Sequence, residues 1–350
     1  MLEPMMTNEI TNALAGLTVG APAHAAGLLM FPLFPAGAAR PAGAHYTVLR
    51  EAIAAGTGHV TEVSAQGVVP LLRFRNDADR PVLLLDGEEL VGCKQNRILN
   101  LSILAPARGD IEIPVSCVEM GRWRAESTRF HSEGRTMYAG LRAAKMARVS
   151  ASLAQAGEAR ADQGEIWDSI SEKSRRMGSS SSTQAMRGVF EQRERDIARI
   201  TAALAPQPGQ LGAVFAVRGR LAGVELFDDT DTLRLYLPGV VAGYALDALD
   251  TDRPDEEWPG DETAISTPPA PAGEVTLQAV REMLARIADT PPARRPGVGQ
   301  GEDLRLSAQG LLGAALVDEG RVVHLCAFSH EGNAEFTSAR RRGVSRPTWL

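Results

Sequence analysis

The alternation of apolar and polar positions predicts the elements of the chain. Residues 8 to 15 carry helical spacing, and "GLLMFPLF" reads as a strand. Its two prolines, Pro32 and Pro35, favour an edge position, because proline has no N–H to give to a ladder. "TVLREAIAAG" again has helical spacing and stops at Gly56. Strand-like pieces follow: "HVTEVS", "VVPLLRFRN", "PVLLLDGEELVG", "RILNLSILAP" and "IEIPVSCVE". They are rich in Val, Ile and Leu and are separated by turn residues, including Asp86-Gly87 and Arg108 to Asp110. Such regular spacing predicts an antiparallel meander or sandwich rather than βαβ units.

The pattern changes near residue 136. "MYAGLRAAKMARVSASLAQAGEARADQGEIWDSISEKSRRM" is mostly helix-forming, and "GSSSSTQ" reads as a flexible connection. Met186, Val189, Phe190, Ile197, Ile200 and Leu204 predict one amphipathic helix ending near Pro206. "LGAVFAVRGRLAGVELF" reads as a hairpin turning at Arg218 to Arg220, followed by a helix from Thr232 to Leu249. The acidic, proline-rich stretch 250–273 reads as an exposed loop, "EVTLQAVREMLARIAD" as a helix, and "LLGAALVDEG" and "RVVHLCAF" as closing strands. The expected fold is α+β: a strand-rich part over 1–135, a helical bridge over 136–207, a second α+β part over 208–330, and a disordered basic tail over 331–350. Whether the parts are two domains or one interlocked unit stays open at this stage.

Composition narrows the function. The 350 residues are 44% hydrophobic and 23% charged, ordinary values for a globular protein, and aromatics are scarce at 5%. A net charge of −6 argues against a nucleic-acid binder, the arginines of "ARRRGVSRP" apart. Cys93, Cys117 and Cys326 show neither a disulfide framework nor zinc spacing, and the N-terminus shows no secretory signal. The broken apolar run "AAGLLMFPLFPAGAA" is too short for a membrane span. A soluble cytoplasmic protein is expected.

Two polar clusters interrupt the apolar pattern. In "GEELVGCKQNR", residues 87 to 97, strand alternation sends Glu88 and Glu89 to opposite faces, and Gly92 permits an abrupt turn. Lys94 and Arg97 bring positive charge, while Gln95 and Asn96 each bring a donor and an acceptor. That inventory suits a ligand with anionic and hydrogen-bonding parts. In "IPVSCVEMGRW", residues 113 to 123, Cys117 and Glu119 share a face, Arg122 can hold a phosphate and Trp123 can stack on a planar base. The competing readings are a solvated hairpin end, an Arg–Glu pair under a half-buried Trp, and Cys117 as a small core residue. Weaker candidates are the glycine-rich "PGVGQGED", which precedes a strand instead of opening a helix; His324, read as a core histidine; and Gln163, Glu165 and Trp167 of the bridge. No HExxH, GxSxG or Walker pattern is present.

Together, "GEELVGCKQNRILNLSIL", "IPVSCVEMGRW", "DQGEIW" and "VVHLCAF" resemble the ADP-ribosylglycohydrolase- and rhodanese-phosphatase-associated protein domain family across most of residues 10 to 330. The matching positions are Glu88, Glu89, Lys94, Gln95, Asn96, Arg97, Cys117, Glu119, Arg122 and Trp123. The resemblance implies a place in NAD or ADP-ribose metabolism and supplies no established reaction. The expectation is a pocket that binds an ADP-ribose-like or NAD-derived nucleotide and acts on it as a hydrolase. Lys94, Arg97 and Arg122 would hold phosphates, Gln95 and Asn96 would orient the sugar or base, Trp123 would stack, and Glu89 or Glu119 would be the general base. A divalent metal such as Mg²⁺, bridging carboxylates and substrate phosphates, is compatible with this set. The alternative is a non-catalytic nucleotide sensor, or an adaptor for a partner enzyme of ADP-ribose metabolism.

Overall fold

The computed structural model describes residues 8–37, 43–64, 66–250 and 275–329. Helix α1 (Glu9–Ala15) leads into β1 (Leu17–Val19), β2 (Ala23–Ala25) and β3 (Leu28–Pro35). Next come β4 (Thr47–Val48), α2 (Leu49–Ala54), β5 (Gly58–Glu62), β6 (Leu71–Asn76), β7 (Val82–Leu84) and β8 (Glu88–Gly92). β9 (Arg97–Leu99), β10 (Ile103–Ala105), β11 (Asp110–Cys117) and β12 (Phe130–Thr136) complete the strand-rich stretch. The helices α3 (Ala139–Ala156), α4 (Gln163–Arg176), α5 (Met186–Gln192) and α6 (Glu194–Ala203) follow. After them lie β13 (Gly212–Val217), β14 (Arg220–Phe227), α7 (Thr230–Leu249) and α8 (Leu277–Asp289). β15 (Ala293–Pro296), β16 (Glu302–Ala308), β17 (Leu311–Asp318) and β18 (Arg321–Ser329) close the described chain. The mixture is α+β, as expected.

The strand-rich stretch is not an open meander or sandwich. Six of its strands close into a barrel in the order β11-β6-β5-β12-β8-β9. Closure depends on the length of β11, which pairs with β6 through Asp110–Pro114 and with β9 through Val115–Cys117. The Asp86-Gly87 turn does not close a hairpin. β7 pairs with β10 and β4, whereas β8 pairs with β9 and β12, so the turn carries the chain from one sheet to another. Gly87 has φ 76°, and a Cβ there would lie 2.9 Å from the Arg142 side chain.

A second, nine-stranded sheet joins both ends of the chain in the order β1-β3-β13-β14-β18-β17-β16-β15, with β2 also on β3. Strands from the first 35 residues therefore share a sheet with those after residue 211. β3 is not an edge strand, since β1 and β2 flank one side and β13 the other. Pro32 is tolerated because it falls in the gap between β1 and β2. Its carbonyl accepts from Gly20 N–H at 2.8 Å on that side, so its nitrogen faces the interrupted side of the ladder.

One face of the large sheet packs on α1 and α8 through Phe31, Val214, Val224, Leu284 and Leu304. The other face packs on α3 to α7 through Phe215, Phe227, Leu316 and Phe328. α7 is apolar around most of its circumference, as a helix enclosed on all sides must be. A Cβ on Gly239 would fall 1.7 Å from the Gly134 carbonyl, so only glycine lets α7 lie this close to β12. The single helix expected over 186–204 is two, α5 and α6, broken at Arg193. The apolar stripe skips a turn there, where Arg193 and Glu194 stand at the positions a continuous core face would need. Among the described residues no helix is long and apolar enough to cross a membrane. The acidic stretch from 251 to 274 and the basic tail lie outside the described residues.

Candidate functional site

Antiparallel partners point to the same side of a sheet, so the register of the barrel tells which side chains face inward. Arg97 is opposite Leu90 on β8 and Cys117 on β11, while Glu62 is opposite Leu72. Leu72, Leu90, Val60, Phe74, Leu99, Ile113, Val115 and Phe130 form the apolar barrel core. Arg97, Cys117 and Glu62 therefore crown that core at one mouth of the barrel, where β5 and β11 end and β9 begins.

Arg97 is the unusual group there. It is fully buried, and its Nη1 donates to the Gln95 carbonyl at 3.3 Å and to Gln95 Oε1 at 3.0 Å. Nε and Nη2 are buried with no partner among the described residues. These two nitrogens form one edge of the guanidinium, the parallel fork that matches a carboxylate or a phosphate. Buried donors are ordinarily satisfied, so an entire unmade fork is a departure that asks for an explanation. Trp123, 48% exposed, lies over the same place: its ring centroid is 5.7 Å from the Arg97 guanidinium carbon and 5.4 Å from Lys94 Nζ. Lys94 Nζ donates to the Gln66 carbonyl at 2.5 Å. Glu62 accepts weakly from Lys94 N–H at 3.4 Å through Oε1, and its Oε2 is buried without a partner among the described residues. The thiols of Cys93 and Cys117 are both pushed up to about 11, by burial first. They are neutral, consistent with core packing and not with a thiolate nucleophile.

The second motif meets the first, but mostly as a clamp. Arg122 Nη2 donates to Glu119 Oε2 at 2.6 Å and to Asn96 Oδ1 at 3.1 Å, and its Nη1 donates to the Cys93 carbonyl at 2.6 Å. Asn96 N–H donates to Glu119 Oε2 at 3.0 Å, and Asn96 Oδ1 accepts from Gly92 N–H at 3.2 Å. Burial opposes the ionisation of Glu119, yet Arg122, Thr183 and the Asn96 amide together hold its carboxyl below the ordinary value. Gly92, at φ 127°, makes the turn that brings Cys93 and Asn96 under this guanidinium. Gln163 grips the end of β11 from outside, accepting from Cys117 N–H and donating to its carbonyl, both at 2.8 Å.

Glu89 does not share the mouth. It is opposite Ile98, so it points away from the barrel interior, where both its oxygens are buried without a hydrogen bond among the described residues and Arg135 Nη1 stands 3.5 Å away. Burial pushes its pKa to about 7 despite Arg135 and Arg187. Glu88 is also raised to about 7 by burial, but it is satisfied by Ser132 Oγ at 2.5 Å, Leu85 N–H at 3.2 Å and Tyr236 OH at 3.4 Å. Of the residues expected to form one cradle, Lys94, Gln95, Arg97 and Trp123 come together at the mouth. Asn96, Glu119 and Arg122 fix the wall, and Glu89 lies on its far side. Glu62 is the carboxylate that sequence reasoning passed over. Its signal was there: in "HVTEV" it alternates in phase with the inward Val60.

A buried ionic network also escaped notice. Arg142 Nε donates to Asp86 at 2.7 Å, its Nη1 and Nη2 donate to Glu225 at 2.5 and 3.3 Å, and Lys145 Nζ donates to Asp86 at 2.7 Å. His324, expected as a core histidine, is buried between Glu225 and Ser102. Charges at 142 and 145, in helical phase with the buried Met146 and Val149, were the available signal. Glu225, His324 and Cys326 bring possible metal-ligand atoms within 4.8 Å of one another. The Glu225 carboxylate, however, is already occupied by the Arg142 guanidinium, which a cation would have to face.

No curated protein and no solved structure matches the chain. The family model for the ARG and Rhodanese-Phosphatase-superfamily-associated Protein domain matches residues 16–328, which span the barrel, the helices and the large sheet, and the chain thus belongs to the ARPP-1 family.

Proposed function

We propose that the barrel mouth binds the anionic part of an ADP-ribose-like or NAD-derived nucleotide in the cytoplasm. The observation that carries this reading is the buried, unmade Nε/Nη2 fork of Arg97. A phosphate oxygen pair would complete it, Lys94 would add charge at the rim, and the exposed face of Trp123 would stack on a base. The ARG and rhodanese-phosphatase association in the family's name supports this ligand class and a partner enzyme that processes ADP-ribose. Hydrolysis, if it occurs at the mouth, would draw on Glu62 in place of Glu89 or Glu119. A divalent cation beside bound phosphates would likewise draw on Glu62, whose Oε2 has no partner among the described residues.

The rival reading is a sensor that binds the same ligand and leaves it intact. It is favoured by one observation: Glu119 is held by Arg122 and Glu89 faces away from the fork. Titration calorimetry in phosphate-free buffer with ADP-ribose, NAD and AMP tests binding, with heat expected from at least ADP-ribose and none from an Arg97→Met protein. Absence of heat with all three ligands refutes the proposal. Chromatography of the ligand after long incubation separates hydrolase from sensor.

A further inference from the structure

Away from the barrel mouth, the ionic network has one member that reaches the surface. Asp86, Arg142, Lys145, Glu225 and His324 are all buried, whereas Ser102, on the connection between β9 and β10, is only half-buried. Ser102 Oγ lies 2.9 Å from His324 Nδ1, and His324 Nε2 lies 3.0 Å from Glu225 Oε2. The carboxylate fixes the tautomer. A lone pair on Nε2 would face the Glu225 oxygen, so the ring proton sits on Nε2 and Nδ1 is left to accept from the serine hydroxyl. The Asp86 N–H donates to Ser102 Oγ at 3.0 Å, so the oxygen is held from a second direction.

We propose that Ser102, His324 and Glu225 form a second site, a serine esterase centre for acyl esters that carry an anionic group. Ser102 is the nucleophile and His324 the general base. Glu225 is a positioning residue, and it is itself fixed by Arg142. The Ser102 Oγ–acyl carbon bond forms as the hydroxyl proton passes to Nδ1. The ester C–O bond then breaks, and the leaving alkoxide takes that proton. Water, activated by the same nitrogen, hydrolyses the acyl-serine and releases the acid. The surroundings tolerate the imidazolium this requires. Two carboxylates, Asp86 and Glu225, balance two cations, Arg142 and Lys145, so the new positive charge is matched by the oxyanion formed with it.

Arg305 supplies the preference for an anion. Cys326 shares the face of β18 with His324, Cys326 is opposite Ala314, and Ala314 is opposite Arg305. Arg305 therefore occupies the same sheet face, two strands and about 10 Å from Cys326 by strand spacing and roughly 12 Å from His324, one same-face step further along β18. It is 6% exposed, its Nε donates to Asp303 at 2.8 Å, and both Nη atoms are buried without a partner among the described residues.

The test uses the full-length protein and a fluorophosphonate probe, read by intact mass and peptide mapping. Loss of fluoride should leave one phosphonyl group on Ser102 of the folded protein and none on Ser102→Ala. His324→Asn should slow labelling by at least about 100-fold. A folded Glu225→Gln protein should label more slowly than the parent, and Glu225→Asp should recover part of the rate, because the carboxylate is what orients the imidazole. Mono-p-nitrophenyl succinate should be cleaved faster than p-nitrophenyl acetate, and Arg305→Met should erase that difference through KM. An unlabelled native protein, equal labelling of Ser102→Ala, or labelling that survives denaturation overturns the proposal.

Discussion

Replacing Arg97 by methionine separates a ligand-binding arginine from a structural one by the sign of the stability change. The side chain is fully buried, with two of its donor nitrogens, Nε and Nη2, unmade. Each unsatisfied buried donor costs about 1–3 kcal/mol, so the native fold carries roughly 2–6 kcal/mol of desolvation at this position. Against that stand the bonds to Gln95, together worth about 1.5–3 kcal/mol, and the ring contact with Trp123, worth about 0.5–1 kcal/mol. Methionine keeps most of the volume and removes both sides of the balance. The expected outcome is a protein as stable as the parent or more stable by about 1 kcal/mol, a Tm shift of roughly 1–2 °C upward for a chain of 350 residues. The same protein should lose the stabilisation that ADP-ribose gives the parent, about 2.7 kcal/mol at a hundred times Kd. Thermal denaturation with and without ligand reads both quantities in phosphate-free buffer. A structural arginine would instead cost about 3–5 kcal/mol when removed from its partners. A methionine variant destabilised to that extent, beside a parent protein indifferent to every nucleotide, would refute the reasoning.

Three further outcomes follow from the same geometry. Trp123→Ala, at an exposed position, should leave Tm within about a degree and weaken nucleotide binding by about 1–3 kcal/mol, measured by calorimetry; unchanged affinity would remove the stacking role. Burial raises Glu89 from 4.5 to about 7. Between those values the folded form holds a proton that the unfolded chain has lost, and stability falls as pH rises through that window. Glu89→Gln should therefore match the parent near pH 4 and exceed it by up to about 3 kcal/mol near pH 8 in urea titrations, since Arg135 keeps Glu133 at 3.6 Å; a gap independent of pH would contradict this. Arg142→Ala leaves Glu225 with His324 alone and Asp86 with Lys145 alone, and should cost about 3–5 kcal/mol in chemical denaturation; a loss under 1 kcal/mol would mean water enters the network.

The sequence disclosed which residues were polar out of place, but not which of them lacked partners. "GEELVGCKQNR" and "IPVSCVEMGRW" stood out because charge interrupts apolar strands, and Cys117 does lie opposite Arg97. The α+β class and most element positions were legible for the same reason, since period-2 and period-3.6 patterns are local. Closure of the barrel was not, because it depends on β11 dividing its length between β6 and β9, a fact about register between distant segments. Register also decides the site. A single step of alternation places Glu89 opposite Ile98, outside, and Arg97 opposite Leu90, inside, though sequence alone left both available for one cradle. Arg122 and Arg97 look alike as letters, yet Glu119, Asn96 and the Cys93 carbonyl occupy most of Arg122's donors, while Arg97 keeps a whole edge unmade. A guanidinium committed to its own wall can hold that wall together but has little left for a ligand. An unpaired one costs the fold stability for as long as it stays empty, and that cost is the physical ground for assigning binding to Arg97 and architecture to Arg122.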